Sequence, residues 1–587
     1  MTSEPLAPCR VVATAGHVDH GKSSLVRALT GIDPDRWAEE KARGLTIDLG
    51  FAHTLLDSGT ELSFVDVPGH VRFLPNMLAG VGGVAACLFV VAATEGWKPQ
   101  SEEHLRILEL AGTPAGVVAL TKVDLLGDDE VELARLELEE HLAGSFLASA
   151  PIAEVAAPSG RGIAELRGAL DALLRGLDEA PDADRPRLWV DRSFSATGAG
   201  TVVTGTLTGG ALEIGNQMAV VPGSGTGRIR GLQAHGRAVD RAGPGRRVAV
   251  NLVGLEVSDV GRGQAVVRSE QWEPTDRFDA RLDVLAGLDH PVARRGAYVL
   301  HCGTFAGRAE VQLLGGRTEA PPGASVAARI RLPAALALIP GDRFVLRESG
   351  RDETVGGGEV LDVAPVLRPG SAVPDRSVAR VVSERGWIDA ALLERLTGER
   401  RPPDLGSWVV DPEARRLAEA EVRSRVATAG PEGISIGGLD DRLRAVVASL
   451  ADLQIVGDMV RPAGMGAELA PSTVAWLAEI ERDLFSPGPP DGIDRRVLRE
   501  LVQQGTVLET EGLYFHSSAV DQAADLIAEA LLVEPEGVTA SQIRQALGTS
   551  RKWALPLLGY LDAHGFTRRR GDLRIPGPRL ARSGRDG

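Results

Sequence analysis

A glycine-rich stretch near the start of the chain has the residue types that wrap phosphate. The string GHVDHGKSS, from Gly16 to Ser24, fits the pattern G-x-x-x-x-G-K-[ST] and lies between a predicted strand and a predicted helix. The glycines let backbone N–H groups close around phosphate oxygens, and Lys22 supplies positive charge to the β and γ phosphates. Ser23 offers a hydroxyl to Mg²⁺. The predicted phosphate contacts are Asp19, His20, Gly21, Lys22, Ser23 and Ser24.

A second segment, DVPGH, follows another predicted strand and supplies groups for the γ-phosphate end of the nucleotide. The Asp66 carboxylate can hold the metal through water, and the Gly69 N–H, with no side chain in its way, can meet the γ-phosphate. His70 is then beside the γ-phosphate, where an imidazole can orient the attacking water. A lone histidine is more often a structural group, but this position favours His70 as the catalytic residue.

The string TKVD selects the base. Asp124 can accept two hydrogen bonds from the N1–H and exocyclic amine of guanine, a donor pair that adenine lacks, so the predicted nucleotides are GTP and GDP. Thr121 stands where GTPases usually have Asn, and its shorter hydroxyl can still tether the loop. In VAAPSGRGI, Ala156 stands where Ser is frequent, and the Ala157 N–H is predicted to meet the guanine oxygen. The predicted base contacts are Thr121, Lys122, Asp124, Ala156 and Ala157.

The elements around these motifs predict a multidomain chain: an α/β P-loop GTPase domain, two β-barrels, and an α+β array of winged-helix modules. Alternating β-branched runs and amphipathic stretches predict the α/β domain, and closely spaced strands with Gly-rich turns predict the barrels. Helices with short apolar strands predict the modules. The predicted domains are 1–180 (GTPase), 187–270 and 271–368 (barrels), and 373–412, 413–466, 467–519 and 520–587 (winged helices).

Composition narrows the class of protein. Three widely spaced cysteines predict neither disulfides nor a zinc site, and we find no apolar run long enough for a membrane span and no signal peptide. A cytoplasmic monomer without a membrane partner is therefore expected. The net charge of -16 argues against non-specific coating of nucleic acid, but residues 551–587 carry nine Lys and Arg against three Asp and Glu. This basic tail indicates an anionic partner at the C-terminus.

The motifs GHVDHGK, RGLT and DVPGH together resemble elongation factor Tu and its relatives. Longer strings, including TAGHVDHGKSSLVRALTG, EEKARGLTIDLGF, FVDVPGHVRFLPNMLAGVGGV, GAGTVVTGT and HGFTRRRG, resemble the selenocysteine-specific elongation factors (SelB) of bacteria, for which TKVD is usual. The resemblance implies that Thr46, in the R-G-[IL]-T segment, binds Mg²⁺ with Ser23 and Asp66 while GTP is present. It also implies that Val18 and Leu45 form an apolar gate that keeps His70 from the water.

The same resemblance implies a ribosome-stimulated GTPase that carries selenocysteinyl-tRNA to recoded UGA codons. A selenol is far more acidic than a thiol, so a cationic pocket in the first barrel can recognise the selenolate. Arg192 and Arg247 match the family's aminoacyl pocket, with Asp191 placed to fix the orientation of Arg192, and with His235 as a weaker candidate. The alternative is that these arginines only solvate barrel strands.

The resemblance further makes the last winged helix the binder of a messenger RNA hairpin, the SECIS element. The basic residues expected to contact RNA phosphates lie at the start of a predicted helix and in the wing that follows it: Arg551, Lys552, Arg568, Arg569 and Arg570. Trp553 and Phe566 could stack on bases, but aromatic residues at these positions are more often core.

Two other classes of protein remain compatible with these patterns. One is a general or initiator tRNA carrier with an unrelated tail, which would bind cysteinyl- or seryl-tRNA equally well. The other is a GTP-switched transcriptional regulator whose winged helices bind duplex DNA, because winged helices serve DNA as often as RNA.

Overall fold

The computed structural model describes residues 8–35, 46–196, 200–463 and 469–580. The chain forms two compact units, Met1–Ala418 and Glu419–Gly587. The first contains an α/β domain, two β-barrels and a small helical module, and the second contains further helix and hairpin modules. The fold class predicted from the sequence is confirmed.

The α/β domain is built on a six-stranded sheet in the order β2-β3-β1-β4-β5-β6, in which β2 runs antiparallel to β3 and the other neighbouring strands are parallel. Its strands are β1 Cys9–Ala15, β2 Gly50–Leu55, β3 Glu61–Asp66, β4 Ala86–Ala92, β5 Gly116–Thr121 and β6 Ile152–Val155. Its helices are α1 Lys22–Thr30, α2 Leu74–Gly80, α3 Pro99–Leu110, α4 Asp128–Leu142 and α5 Ile163–Gly176.

Continuous apolar sequences form the central strands of this sheet. Every residue of β1, β4 and β5 is buried, as expected for parallel strands covered by helices on both faces. The two faces pack into separate cores, one formed with α1 and α5 and the other with α2, α3 and α4. The phosphate loop follows the carboxyl end of β1, and the DVPGH and TKVD segments begin at the carboxyl ends of β3 and β5, where ligands bind in open α/β sheets.

The first barrel closes through strand pairs in the order β10-β15-β7-β8-β14-β11, with β10 also pairing with β11. Its strands are β7 Arg187–Ala196, β8 Gly200–Thr208, β9 Leu212–Glu213, β10 Gln217–Val221, β11 Thr226–Ala234, β12 Arg237–Val239, β13 Arg241–Ala242, β14 Arg246–Val253 and β15 Ala265–Arg268. A register shift between Val190 and Arg192 marks a β-bulge at Asp191, which re-aims the side chains at this point of β7.

The second barrel is closed in the order β16-β21-β19-β18-β22-β23. Its strands are β16 Thr275–Val284, β17 Val292–Ala293, β18 Tyr298–Cys302, β19 Phe305–Leu313, β20 Glu319–Ala320, β21 Ser325–Leu336, β22 Arg343–Glu348 and β23 Glu353–Asp362. The buried Arg187 of the first barrel forms a bidentate ion pair with Asp342 of the second, with both N–O distances 2.6 Å. This pair joins the two barrels within the first unit.

A helical module packs directly on the second barrel. It contains α6 Val378–Arg385, β24 Trp387–Asp389, α7 Ala390–Thr397 and β25 Trp408–Val410. Its apolar side chains share one core with those of the barrel: Val378, Val381, Val382, Ile388, Leu393, Leu396 and Val409. Arg185, in the linker before the first barrel, donates to the carbonyls of Glu394 and Arg395 at 3.1 and 2.5 Å. The last turn of α7 is thereby capped by the linker.

The helix α8 Pro412–Ala429 crosses the boundary between the units. In the second unit, the next elements are β26 Ile434–Ser435, α9 Asp441–Ser449, β27 Leu453–Val456, β28 Met459–Pro462, α10 Pro471–Arg482, α11 Arg495–Gln503, β29 Val507–Thr510 and β30 Leu513–His516. The last module contains α12 Ser518–Val533, β31 Val538–Thr539, α13 Ala540–Ala546, α14 Arg551–Ala563, β32 Thr567–Arg570 and β33 Leu573–Pro576. Its three strands pair in the order β31-β33-β32, the sheet of a winged helix.

Among the helices in the described part of the chain, we find none that combines the length and apolar character needed to cross a membrane.

Candidate functional site

The phosphate loop is held between α1 and β4. Lys22 is buried, and its Nζ donates to the carbonyls of Gly16 and His17 at 3.1 and 2.7 Å. Burial lowers the pKa of Lys22 to about 8, and the nearby Asp66 carboxylate opposes that shift. Gly16 has φ 131° and lies so close to the Val90 carbonyl that any Cβ would collide with it. The loop therefore requires glycine at this position.

Hydroxyl and carboxylate oxygens meet beside the loop. Ser23 Oγ donates to Asp66 Oδ2 at 2.6 Å and lies 2.8 Å from Thr46 Oγ1. The second Asp66 oxygen accepts from Thr14 Oγ1 at 2.7 Å, and Thr46 Oγ1 donates to Asp35 at 2.9 Å. Burial raises the pKa of Asp66, and the hydrogen bonds from Ser23 and Thr14 oppose this. The structure thus brings together all three residues predicted to bind metal.

The DVPGH turn faces the phosphate loop. A Cβ on Gly69 would clash with Lys22 Nζ and would lie 2.6 Å from the Val18 nitrogen, so only glycine permits this approach. His70 is exposed, and its Nδ1 accepts a hydrogen bond from the Arg72 N–H at 3.1 Å. Val18 is half-buried. Its predicted gate partner, Leu45, lies outside the described residues, so the gate stays a prediction.

The base loop is tied to the phosphate loop. Thr121 Oγ1 donates to the His20 carbonyl at 2.7 Å, so the threonine does tether the loop as predicted. Lys122 has the left-handed φ of 59°, and its Nζ is 2.8 Å from the Glu95 carboxylate. Asp124 follows in a short 3-10 turn and is exposed, so its carboxylate is accessible to a base.

The remaining predicted nucleotide contacts border the same space. Ala156 is buried, and its N–H donates to the Arg161 carbonyl at 2.9 Å, which closes the loop that carries Ala157. Asp19 has a φ of 62°, and both Asp19 and Ser24 are exposed. Burial lowers the pKa of His20 to about 4, so this imidazole is neutral at physiological pH.

A cationic pocket lies where the first barrel meets the α/β domain. The guanidinium carbons of Arg247 and Arg192 lie 3.4 and 4.6 Å from the centre of the Phe51 ring. Arg192 donates to the Leu49 carbonyl, and its Nη2 is 3.9 Å from Asp48. The predicted arginines are therefore brought together, and each contacts the chain segment that follows Thr46.

The predicted role of Asp191 is corrected. Asp191 orients Arg247 rather than Arg192, because its carboxylate accepts from Arg247 Nε and Nη2 at 3.1 and 2.9 Å. Thr204 Oγ1 also donates to this carboxylate at 2.6 Å. The β-bulge at Asp191 turns its side chain toward β14, which carries Arg247, and away from its sequence neighbour.

His235 lies at the edge of the pocket and is engaged by the α/β domain. Its Nε2 is 2.6 Å from Ser63 Oγ, its Nδ1 is 3.4 Å from Glu61, and its ring stacks on His53. Burial lowers the pKa of His235 to about 4. His235 and Arg247 line one cavity of about 140 Å³, but the ring nitrogens of His235 are occupied by α/β-domain partners. Its role in an aminoacyl pocket stays a prediction.

In the last module, the predicted RNA-binding residues all lie on the surface. Arg551 and Lys552 begin α14, and the three arginines of the wing form the exposed part of β32: Arg568, Arg569 and Arg570. Trp553 meets Phe515 edge-to-face with ring centres 6.2 Å apart, and Phe566 packs on the same core. These two aromatic residues therefore belong to the core, the reading favoured from the sequence.

Comparison with known proteins gives the same architecture. A family model described as the elongation factor Tu GTP binding domain matches residues 7–176. A selenocysteine-specific elongation factor β-barrel model matches residues 279–366, and an elongation factor SelB winged-helix model matches residues 530–575. The selenocysteine-specific elongation factors of Desulfomicrobium baculatum and Escherichia coli (strain K12) are 32% and 30% identical to the chain, each over 96% of it and over 99% and 98% of their own lengths. The chain belongs to the selenocysteine-specific elongation factor family.

Solved structures agree with this membership. A bacterial selenocysteine-specific elongation factor, EF-Sec, is 25% identical with a TM-score of 0.71, over 97% of this chain and 100% of that one. A SelB from Methanococcus maripaludis, in complex with the GTP analogue GppNHp, has a TM-score of 0.54 over 62% of this chain and 81% of that one; at 23% identity it supports the fold alone. As a member of the selenocysteine-specific elongation factor family, the chain is a translation factor that binds and hydrolyses GTP.

Four residues of the site in this selenocysteine-specific elongation factor were not predicted from the sequence. They are Asp35 in the oxygen cluster, Phe51 in the cationic pocket, Glu95 beside the base loop, and the buried His104, whose Nδ1 accepts the Gly16 N–H at 3.0 Å. Each one acts through contact with a distant segment. No pattern in the sequence around these residues marks such contacts.

Proposed function

We propose that the chain carries selenocysteinyl-tRNA and recognises the selenolate in the pocket of Arg192 and Arg247. One observation supports this above all: Arg192 Nη1 is buried and has no hydrogen-bond partner among the described residues. A buried cationic donor without a partner is costly, and an anionic ligand would remove that cost. The pocket lies beside the α/β domain, where the acyl end of a tRNA clamped between domain and barrel would arrive.

The charge of the pocket suits an anion. Among the described residues, Asp48 pairs with Arg192 and Arg262, and Asp191 pairs with Arg247, so these ion pairs contain three guanidinium groups and two carboxylates. A seryl or cysteinyl ester brings a neutral side chain at physiological pH, whereas a selenocysteinyl ester brings an ionised one. Phe51 covers both guanidinium groups and limits their access to water, which strengthens their attraction for an anion.

The oxygen cluster suits Mg²⁺. Ser23, Thr46 and Asp66, with Asp35 beside them, offer the hard oxygen donors that Mg²⁺ prefers. We propose that Ser23 and Thr46 bind the ion and that Asp66 holds it through water. When bound, the ion would neutralise charge on the β and γ phosphates.

The same segment contacts both sites. Thr46 belongs to the oxygen cluster, while Asp48, Leu49 and Phe51 contact the pocket arginines. His70 orients the attacking water, and loss of the γ-phosphate releases Thr46 together with the segment behind it. This release opens the pocket and frees the tRNA.

Replacing Arg192 by Met should weaken binding of selenocysteinyl-tRNA by about 10- to 100-fold, because a charged hydrogen bond of about 1.5–3 kcal/mol is lost. Binding of seryl-tRNA of the same tRNA body should change by less than about threefold, since serine carries no charge for the arginine to meet. Dissociation constants for both tRNAs, with the factor in its GTP form, measure this difference.

The matched control is Arg230→Met, an arginine on the exposed face of β11 of the same barrel. It should bind both tRNAs as the unaltered chain does. If the unaltered chain holds seryl- or cysteinyl-tRNA as tightly as selenocysteinyl-tRNA, the pocket does not sense selenium and the chain is a general tRNA carrier.

We further propose that the last module binds a messenger RNA hairpin, so that the ribosome receives the tRNA only at the recoded UGA codon. The support is the exposed basic surface formed by the start of α14 and by β32, in a chain whose net charge is -16. Holding tRNA and hairpin on one chain raises the local concentration of the tRNA at that codon.

If five basic residues contact phosphates, the logarithm of hairpin affinity should fall with the logarithm of salt concentration at a slope of about -3 to -4. Replacing Arg568 and Arg570 by Ala should reduce this slope by about 1.4, because two phosphate contacts are lost. Filter binding of the full chain to labelled hairpins over a range of salt concentrations measures the slope.

The control for this measurement is Arg308→Ala, an exposed arginine in β19 of the second barrel. It should leave both affinity and slope unchanged. A duplex DNA that competes as well as the hairpin would instead support a transcriptional regulator.

A further inference from the structure

Glu95 connects the two loops of the nucleotide site, although no motif contains it. It follows β4 in a turn in which the N–H groups of Glu95 and Gly96 both donate to the Ala92 carbonyl, at 3.1 and 3.0 Å. Its carboxylate is therefore carried by a backbone that is fixed to a fully buried strand. A charge on such a rigid base can hold a flexible partner in one place.

The partner is Lys122 of the base loop. Lys122 Nζ donates to Glu95 Oε1 at 2.8 Å, and both side chains are about one third exposed. The hydrogen bond and the charge of Lys122 hold the pKa of Glu95 below its ordinary value, so the carboxylate is ionised at physiological pH. Lys122 needs this support because its left-handed backbone, with φ 59°, is unfavourable for a residue with a side chain.

The end of β4 also contacts the phosphate loop. Val90, in this strand, lies against Gly16 and His20, with its carbonyl 3.4 Å from His20 Nδ1. Three residues further on, the Ala93 N–H donates to the Thr121 carbonyl at 2.8 Å. One strand end thus touches both loops.

The Glu95 carboxylate forms its ion pair with Lys122. Another ionisable group near its carboxylate is His20, whose Nε2 is 4.0 Å away, too far for a hydrogen bond. Because burial lowers the pKa of His20 to about 4, this histidine is neutral and does not compete for the carboxylate.

We propose that Glu95 is a positioning residue for guanine nucleotides, which holds Lys122, and through it the base loop, in register with the phosphate loop. Lys122 stands in the base loop between Thr121 and Asp124, the residue predicted to accept hydrogen bonds from guanine. Glu95 itself lies behind Lys122 and acts through it. This role is independent of the tRNA proposal, since it concerns nucleotide retention alone.

The test measures the release of a fluorescent GDP from the full chain by stopped flow. Glu95→Gln should release GDP about 10-fold faster, equivalent to about 1.4 kcal/mol. The KM for GTP should rise while kcat stays unchanged, since the γ-phosphate end is not altered. Glu95→Asp keeps the charge on a shorter side chain and should recover part of the loss.

Lys122→Met separates positioning from a general structural effect. If Glu95 acts through Lys122, the double variant Glu95→Gln, Lys122→Met should release GDP no faster than Lys122→Met alone. Glu109→Gln is the matched control, because its carboxylate also pairs with a cation, Arg106, at 2.8 Å, but lies away from both loops. Equal release rates for Glu95→Gln and this control would overturn the proposal, and so would additive effects in the double variant.

Discussion

An Asp124→Asn variant should lose affinity for GTP by roughly 1,000-fold and should gain affinity for xanthosine triphosphate. The carboxylate of Asp124 can accept both the N1–H and the 2-amino group of guanine, two charge-assisted hydrogen bonds worth about 1.5–3 kcal/mol each. An asparagine amide has a single acceptor oxygen, so it cannot accept from both groups; with that oxygen on the N1–H, its NH2 faces the 2-amino group of guanine but can donate to the oxygen that xanthine carries there. Competition of both nucleotides against a fluorescent GDP measures the change.

The exposed position of Asp124 predicts that this substitution leaves the fold intact. The matched control is Asp128→Asn, an exposed acid at the start of α4, which should keep its preference for guanine. Equal loss of both nucleotides in Asp124→Asn would contradict the assignment of Asp124 as the base acceptor.

A His70→Ala variant should hydrolyse GTP about 100-fold or more slowly on the ribosome, because a positioned acid–base group typically contributes 10²–10⁴-fold. Nucleotide affinity should stay within about twofold, since His70 is exposed and its imidazole accepts a hydrogen bond from the Arg72 N–H of its own turn. Single-turnover hydrolysis with ribosomes, together with GDP and GTP dissociation constants, separates the two effects.

His564→Ala, an exposed histidine in the last module, is the control and should hydrolyse GTP at the normal rate. Normal hydrolysis by His70→Ala would remove His70 from the mechanism. If His70→Ala instead weakened GTP binding and hydrolysed GTP at the normal single-turnover rate, His70 would be a structural residue of the turn.

The sequence was sufficient for the parts of the site that local patterns determine. Lys22 and Ser23 were predicted because G-x-x-x-x-G-K-[ST] lies between a strand and a helix, and Asp66 because D-x-x-G stands at the end of a strand. Thr121 was correctly expected to tether its loop in place of asparagine. In these cases the spacing of residue types within a few positions fixes the geometry.

Other contacts depend on bulges and on packing between segments that are far apart in the chain. The pairing of Asp191 with Arg247 follows from a β-bulge, which shifts side-chain directions by one residue and leaves no pattern in the sequence. Phe51 meets both arginines only because β2 packs on the first barrel. Glu95 and Lys122 lie close together because β4 and β5 are neighbouring strands and each residue follows the end of its strand. The sequence motifs do not indicate this contact.

The apolar core shared by the second barrel and the module of α6 and α7 affects how this chain can be divided. A chain cut after β23, the length of a three-domain elongation factor, would expose the barrel side of that core to water. It would also leave Arg185 without the helix end that it caps. The first module is therefore part of the same folded body as the second barrel, and a chain that ends after β23 would lose stability.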